Sequence, residues 1–240
     1  TLSALSGAVP LALYHQAWRK GWRHFLQNLE MRALLLTGLI ASGLLGINLW
    51  AQGMNPTEVW THAPLMALSA QTTSGFSSID PGALDAVSKA ILIATMSVGG
   101  CIGSTAGGFK LLRVLILFGL LYRCLKSLSV PHDAVVDQRL GQRRIEETEV
   151  QDALMIMLLF TGVVFLSWTA FLVYGYAPLD ALFEVVSATG TVGLSSGVAP
   201  ARMPSMLKLV LIADMLLGRL EFVAWMVLFY HRTWFGRKRG

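Results

Sequence analysis

The sequence predicts an all-α integral membrane protein built from tandem helix–pore-loop–helix repeats. Hydrophobic residues make up 54% of the 240 residues and charged residues only 14%, whereas an ordinary soluble domain has about a quarter charged residues. The two halves of the chain also repeat each other. In each half, a helix too short to cross a membrane leads into a stretch of small residues.

Four stretches without a charged side chain are the candidates for membrane-embedded helices. They cover residues 33–57, 90–109, 114–122 and 153–179. Several are long enough to cross a bilayer, which takes about 20 apolar residues. No signal peptide is evident at Thr1, because no short basic segment, apolar run and small-residue cleavage site follow one another there. We expect that the chain begins inside a longer protein.

Basic residues cluster beside the apolar stretches and contribute to a net charge of +5. The clusters are Arg19, Lys20, Arg23 and Arg32, then Arg123, Lys126, Arg139, Arg143 and Arg144, and finally Arg232, Arg237, Lys238 and Arg239. The positive-inside rule predicts that these clusters and both chain ends are cytoplasmic, and that Lys89, Arg202 and Lys208 are external. The clusters do not line an aromatic-interleaved groove, so nucleic acid is not a predicted partner.

A repeat relates the two halves of the chain. Residues 69–78 align with residues 187–196 at an offset of 118 positions, with six of ten identical, and residues 92–99 align with residues 211–218 at an offset of 119. Each copy contains a half-helix, near residues 57–70 or 179–188, that is too short to cross and is therefore re-entrant. The predicted organisation is the end of a preceding repeat with a basic linker over 1–30, pore-loop repeats over 31–123 and 149–232, a cytoplasmic linker over 124–148, and a basic cytoplasmic tail over 233–240.

The small-residue stretches after the half-helices are predicted to bind a permeating cation. Carbonyls without helical partners at membrane depth must line a water-filled or ion-filled cavity. Thr191-Val192-Gly193 resembles the start of the potassium-channel filter, where carbonyl oxygens replace the ion's hydration shell. Gly75 and Gly193 tolerate the positive φ that turns successive carbonyls toward one axis, and a helix C-terminus carries about half a negative charge. A patch of small residues for helix packing is the alternative. The candidate ion-binding residues are Thr73, Ser74, Gly75, Phe76, Thr191, Val192, Gly193 and Leu194, with potassium on the carbonyls of Gly75 and Gly193.

Residues 99–108 interrupt the second apolar helix of the first copy. Five of these ten residues are glycine, and each disfavours a helix by about 1 kcal/mol relative to alanine. We expect a flexible loop beneath the filter, although a close-packed glycine-rich helix contact is the alternative. A phosphate-binding loop is excluded, because Phe109 separates Gly108 from Lys110 and Leu111 follows.

Three basic residues lie in or beside apolar segments. Arg219 is a functional candidate because charges there are costly, with Glu221 or Asp214 as a possible partner, and a structural ion pair is the alternative. Lys110 and Arg113 are expected to extend to the cytoplasmic face.

These motifs resemble the Trk/Ktr/HKT superfamily of potassium transporters, and most of all the bacterial Trk potassium-uptake membrane subunit. The most specific matches are residues 99–110, followed by Arg113, and residues 215–221. The resemblance covers nearly the whole chain and corresponds to the C-terminal half, with the third and fourth pore-loop repeats. Ala106 stands where glycine is expected. Residues 191–195 look more like the Ktr branch, so the subgroup stays open.

The resemblance implies potassium uptake across the bacterial cytoplasmic (inner) membrane, with potassium as substrate and no cofactor. It implies four repeats in one chain, a homodimer in the lipid membrane, and a cytosolic nucleotide-binding regulatory subunit that docks at residues 138–149. Arg219 would project toward the pore below the filter. The intramembrane gate would comprise Gly99, Gly100, Cys101, Gly103, Ser104, Thr105, Gly107 and Gly108.

Two other function classes are weaker. A sodium- or proton-coupled secondary transporter is favoured by inverted repeats and acidic residues at mid-span, but this repeat is parallel and offers only Asp214 and Glu221. An intramembrane enzyme with Ser77, Ser104 or Cys101 as nucleophile would lack a base, since no histidine falls in an apolar span. We therefore predict that the protein is not an enzyme.

Overall fold

The computed structural model describes residues 2–21, 28–128, 139–140, 143–144, 146–200 and 202–219. The helices in this part of the chain are α1 Leu2–Gly7, α2 Leu11–Lys20, α3 Leu29–Ala51, α4 Pro56–Gln71, α5 Ala86–Val98, α6 Leu111–Ser127, α7 Glu147–Val173, α8 Pro178–Thr189 and α9 Ser205–Arg219. A 3₁₀ turn covers Pro81–Ala83. Strands β1 Arg139–Leu140 and β2 Arg143–Arg144 form a short antiparallel pair. The predicted all-α fold is confirmed, with this small ladder added in the linker.

Helices α3 and α7 are long and apolar enough to cross a membrane. Their N-termini are capped, by the Asn28 side chain in α3 and by a reciprocal bond pair between Glu146 and Glu149 in α7, which satisfies amides that the first turn leaves unpaired. Large apolar side chains cover their outer surfaces, with Leu39 72% and Leu158 75% exposed. Such surfaces suit contact with lipid hydrocarbon.

The half-helices α4 and α8 lie where the repeat predicts them. Each begins with a proline, Pro56 or Pro178, at its first position, where the missing amide costs no hydrogen bond. Helix α4 packs against α3 and α5, and α8 packs against α7, α9 and α5. Because α5 belongs to the first copy and α8 to the second, the two copies share one apolar core, in which Met66 and Met96 cluster with Phe183.

The glycine-rich segment breaks the helix as predicted. Helix α5 ends at Val98 and α6 begins at Leu111, so residues 99–110 form a connecting loop. A second break separates α1 from α2, and the two breaks contact each other through a bond from the Cys101 amide to the Ala8 carbonyl at 3.1 Å. The loop is therefore attached to the segment that precedes the first copy.

Some predictions fall outside the described residues. These include Glu221, the basic tail over 233–240 and the orientation of the chain's C-terminal end. The proposed docking region over 138–149 is described only at its two short strands and at residues 146–149.

Candidate ion-conduction site

Helices α4 and α8 end at the candidate filter in the same way. The Thr72 amide bonds the Leu68 carbonyl at 2.9 Å, and the equivalent Gly190 amide bonds the Val186 carbonyl at 2.8 Å. Both helices thus direct their C-terminal ends at the filter stretches. Since a helix C-terminus carries about half a negative charge, these ends attract a cation.

The filter stretches fold back on the helices that precede them. The Ser74 amide bonds the Ser69 carbonyl at 3.1 Å, and the Val192 amide bonds the Ser187 carbonyl at 2.8 Å. These bonds occupy equivalent positions in the two copies, and in both the amide of the filter stretch donates to the preceding helix. The carbonyls of the filter stretches can therefore accept from another partner. No backbone amide in the described residues outside the helices donates to the carbonyl of Gly75 or Gly193.

The backbone of both filter stretches alternates in the sign of φ. Thr73 has φ 53° and Gly75 has φ 74°, while the equivalent Thr191 and Gly193 have φ 51° and 90°. A β-branched residue at positive φ is a conformational outlier, so both threonines are held there by their surroundings. Alternation of this kind turns successive carbonyls to one side of the chain, as in a carbonyl-lined filter.

The two filter stretches lie side by side. A Cβ atom added to Gly75 would overlap the Val192 carbonyl oxygen and would come within 3.4 Å of the Gly193 Cα. A Cβ atom on Gly193 would lie 3.9 Å from the Gly75 Cα. The two glycines therefore face each other across adjacent walls of one site, and a side chain on Gly75 would disrupt it.

The glycine-rich loop lies directly against one end of the filter. The Gly107 amide donates to the Thr73 hydroxyl oxygen at 3.0 Å. A Cβ atom on Gly107 would overlap the Gly190 carbonyl oxygen and would lie 2.8 Å from the Thr191 Oγ1. The loop thus contacts both filter stretches at once, which only a residue without a side chain permits.

Lys110 corrects a prediction made from the sequence. Its side chain does not extend to the membrane surface, because the residue is only 5% exposed. Lys110 adopts φ 69°, which turns the side chain back into the loop. The ammonium group donates to the Ser104 carbonyl at 3.3 Å and to the Ala106 carbonyl. Lys110 is therefore an internal support of the loop.

Arg219 lies in the wall of a polar cavity beneath the filter, which it shares with residues of the glycine-rich loop. The cavity has a volume of about 250 Å³, and its walls include Thr105, Gly107, Lys110, Thr191 and Arg219. The Arg219 Nη1 donates to the Thr105 carbonyl at 3.3 Å. Asp214 is not its partner, because no ion pair joins the two side chains in the described part of the chain, and the Asp214 carboxylate accepts a bond from the Ser167 hydroxyl instead. Arg219 thus links the second copy to the loop of the first.

The chain is similar to known cation transport proteins. A family model described as TrkH, cation transport protein, matches residues 12–234.

The chain belongs to the TrkH cation transport family.

Individual TrkH-family relatives match the chain along most of its length. A Trk system potassium uptake protein TrkH of Halomonas elongata is 31% identical over 241 residues, covering 96% of this chain and 48% of that protein. The TrkH protein of Escherichia coli is 31% identical over 191 residues, covering 78% and 39%. The crystal structure of the potassium transporter TrkH from Vibrio parahaemolyticus matches with a TM-score of 0.81 at 26% identity, covering 96% of this chain and 51% of that chain. The chain therefore spans only part of the TrkH relatives it matches, from 39% to 51% of their length.

Glu184 is a site residue of this TrkH-family chain that the sequence analysis missed. Its side chain is 8% exposed and lies in α8 behind the second filter stretch. Its Oε2 accepts bonds from the Ser195 hydroxyl at 3.0 Å, the Ser196 amide at 3.1 Å and the Ser196 hydroxyl at 3.3 Å. The equivalent residue of the first copy is Met66, whose sulfur accepts a bond from the Ser78 amide at 3.4 Å. The repeat alignment contained this signal, since it places a carboxylate opposite a thioether.

The filter has a second cavity at the end away from the loop, lined by residues 77–81 and 193–195, with a volume of about 510 Å³. Phe76 is 63% exposed, whereas the equivalent Leu194 is 2% exposed. The two copies are therefore equivalent in filter backbone but not in side chains. Among the described residues, no group of three or more His, Cys, Asp or Glu side chains is arranged to hold a metal ion.

Proposed function

We propose that this chain is the half of a potassium-uptake protein that carries its third and fourth pore-loop repeats, over residues 31–123 and 149–232. Potassium would cross the bacterial cytoplasmic membrane through a filter lined by backbone carbonyls. One observation carries the proposal: two equivalent stretches with alternating φ follow two re-entrant helices and meet at Gly75 and Gly193. The TrkH relatives of Halomonas elongata and Escherichia coli are named potassium uptake proteins, which supports potassium as the substrate.

The proposed ion ligands are the carbonyls of residues 73–76 and 191–194. A dehydrated cation needs oxygen atoms at the distances of its lost water, and carbonyls held by a fixed backbone supply them. The bonds from Ser74 and Val192 to the preceding helices resist collapse of this backbone. The C-terminal ends of α4 and α8 add favourable potential.

The proposed gate is the loop over residues 99–108. The hydrogen bond from Gly107 to Thr73 and the one from Arg219 to Thr105 support a closed position at the filter entrance. Opening would require the loop to leave these contacts. Arg219 would add positive potential beneath the filter, which opposes a second cation in the cavity.

The proposed partners follow from the family and from the length of the chain. They are two further pore-loop repeats of the same protein, a second copy in a homodimer, membrane lipid, and a cytosolic nucleotide-binding subunit at residues 138–149. We propose no nucleic acid partner and no cofactor.

Rubidium flux through the full-length protein in liposomes tests the filter. Gly75→Ala should abolish most of the flux, because the new methyl group would overlap the Val192 carbonyl oxygen. Gly162→Ala is the matched control, since a Cβ atom there meets nothing within 4 Å. If the Gly75→Ala protein is folded and conducts as well as the Gly162→Ala protein, the filter assignment is wrong.

Shortening the loop tests the gate independently. Removal of residues 103–108 should raise flux, because it removes the obstruction at the filter entrance. Flux at the wild-type level would mean that the loop serves packing alone.

A further inference from the structure

Asp214 is a buried acidic residue outside the proposed filter and gate. It is 2% exposed and lies in α9. It shares one helix face with Leu207 and Leu211, because Leu211 follows Leu207 by four residues and Asp214 follows Leu211 by three. These two leucines belong to an apolar cluster that also contains Phe171 and Val185. The carboxyl group is therefore placed beside an apolar core and away from water.

Within the described part of the chain, one of the two Asp214 oxygens has a hydrogen-bond partner and the other has none. Oδ1 accepts a bond from the Ser167 hydroxyl at 2.7 Å, whereas Oδ2 is buried without a hydrogen-bond partner among the described residues. An ionised carboxylate would leave the charge on Oδ2 uncompensated, which is far more costly than burial of a neutral acid. A carboxylic acid with its proton on Oδ2 removes this charge.

Among the described residues, no charged side chain forms an ion pair with Asp214. Helix α9 packs against α7 and α8. The charged side chains on these three helices are Glu147, Glu149, Asp152, Asp180, Glu184, Lys208 and Arg219. Arg219 donates to the Thr105 carbonyl, and Glu184 accepts bonds from Ser195 and Ser196. The acidic residues of α7 lie near its start, and the 15 residues from Asp152 to Ser167 correspond to about 22 Å of helix.

The fold does not require a polar pair at this place. The first-copy residue equivalent to Asp214 is Thr95, whose hydroxyl donates within its own helix to the Ile91 carbonyl at 2.7 Å. When Pro56 and Pro178 are aligned, the residue equivalent to Ser167 is Leu45, which is 1% exposed. The first copy therefore packs an apolar residue where the second places its hydroxyl donor.

We propose that Asp214 is an intramembrane proton-binding site and that its ionisation alters conduction. Loss of the proton to solvent leaves a carboxylate that the apolar cluster cannot hold, so α9 must shift. Two contacts of α9 would transmit this shift. Gly218 lies so close to the end of α8 that an added Cβ would overlap the Thr189 carbonyl oxygen, and Arg219 bonds the loop at Thr105. The effect on conduction rests on the proposed function, whereas proton binding does not.

Infrared spectroscopy tests proton binding without transport. The full-length protein in detergent should show a carboxylic-acid carbonyl band at neutral pH that is missing in Asp214→Asn. Asp152→Asn is the matched control, because Asp152 is exposed on α7, and it should leave the band unchanged. If wild type and Asp214→Asn have the same band at every pH at which they are folded, the proposal is overturned.

A second variant tests proton binding if the Asp214→Asn protein fails to fold. Ser167→Ala removes the donor to Oδ1, so the acid band should persist and shift toward a carbonyl without a hydrogen bond. An unshifted band would overturn the assignment. For conduction, rubidium flux of Asp214→Asn should lose the pH dependence that wild type shows over the range in which the band titrates. A pH profile equal to that of wild type would refute the link to conduction while leaving the filter proposal intact.

Discussion

Replacing Glu184 by methionine would give the second copy the residue that the first copy has at Met66. The change removes the oxygen that accepts from the Ser195 hydroxyl, the Ser196 amide and the Ser196 hydroxyl. Ser195 is exposed and Ser196 half-buried, so their hydroxyls can turn to water. The Ser196 amide is fixed by the backbone and cannot turn in this way, and a hydrogen bond to a charged group contributes about 1.5–3 kcal/mol.

Burial of the Glu184 carboxylate acts in the opposite direction. Its desolvation is unfavourable, so removal of the charge returns part of the lost free energy. We expect a net loss of about 1–2 kcal/mol in the free energy of unfolding, concentrated at residues 194–197. Because these residues follow the filter directly, rubidium flux should fall and its inhibition by sodium should increase.

The assay combines thermal unfolding of the full-length protein in detergent with rubidium flux in liposomes under sodium competition. Glu184→Gln retains an acceptor oxygen and should lie between wild type and Glu184→Met. Met66→Leu is the matched control, since it removes only the weak sulfur contact to the Ser78 amide. If Glu184→Met is as stable and as selective as Met66→Leu, the supporting role of Glu184 is refuted.

Two further predictions concern the loop and the start of α5. Lys110→Met leaves the Ser104 and Ala106 carbonyls without their ammonium donor, at about 1–3 kcal/mol each, so hydrogen exchange over residues 99–110 and rubidium flux should both increase. The exposed Lys126 is the control, and equal exchange in Lys110→Met and Lys126→Met would contradict the support role. Asp85 lies before α5, outside the membrane-spanning helices, and although burial raises the pKa of its carboxyl, hydrogen bonds from Ser88, Asn48 and Gln52 hold that pKa well below its usual range. The stabilisation from Asp85 is therefore present above about pH 4, the unfolded-state pKa, and is lost as pH falls through the lower folded-state pKa. Asp85→Asn should flatten the acid limb of a plot of unfolding free energy against pH, and an unchanged limb would count against this assignment.

The sequence by itself determined the two short helices, the helix interruption and the repeated small-residue stretches of the candidate filter. These features depend on local chemistry that a linear pattern contains. Prolines start α4 and α8, and the repeat pairs Gly75 with Gly193. Five glycines in ten residues separate α5 from α6. The structure places two short helices and an interrupted helix at these positions, because backbone preferences act within a few residues.

Only the tertiary structure decided which charged groups support the site. Lys110 was predicted to reach the membrane surface, since a lysine at the end of an apolar segment usually does so, but its positive φ directs it into the loop. Arg219 bonds a carbonyl 114 residues away, and Asp214 bonds a hydroxyl 47 residues away. Such partners are set by how the two copies pack, which no local preference specifies. Burial makes such partners necessary, because a charged group that is removed from water must be paired or become neutral.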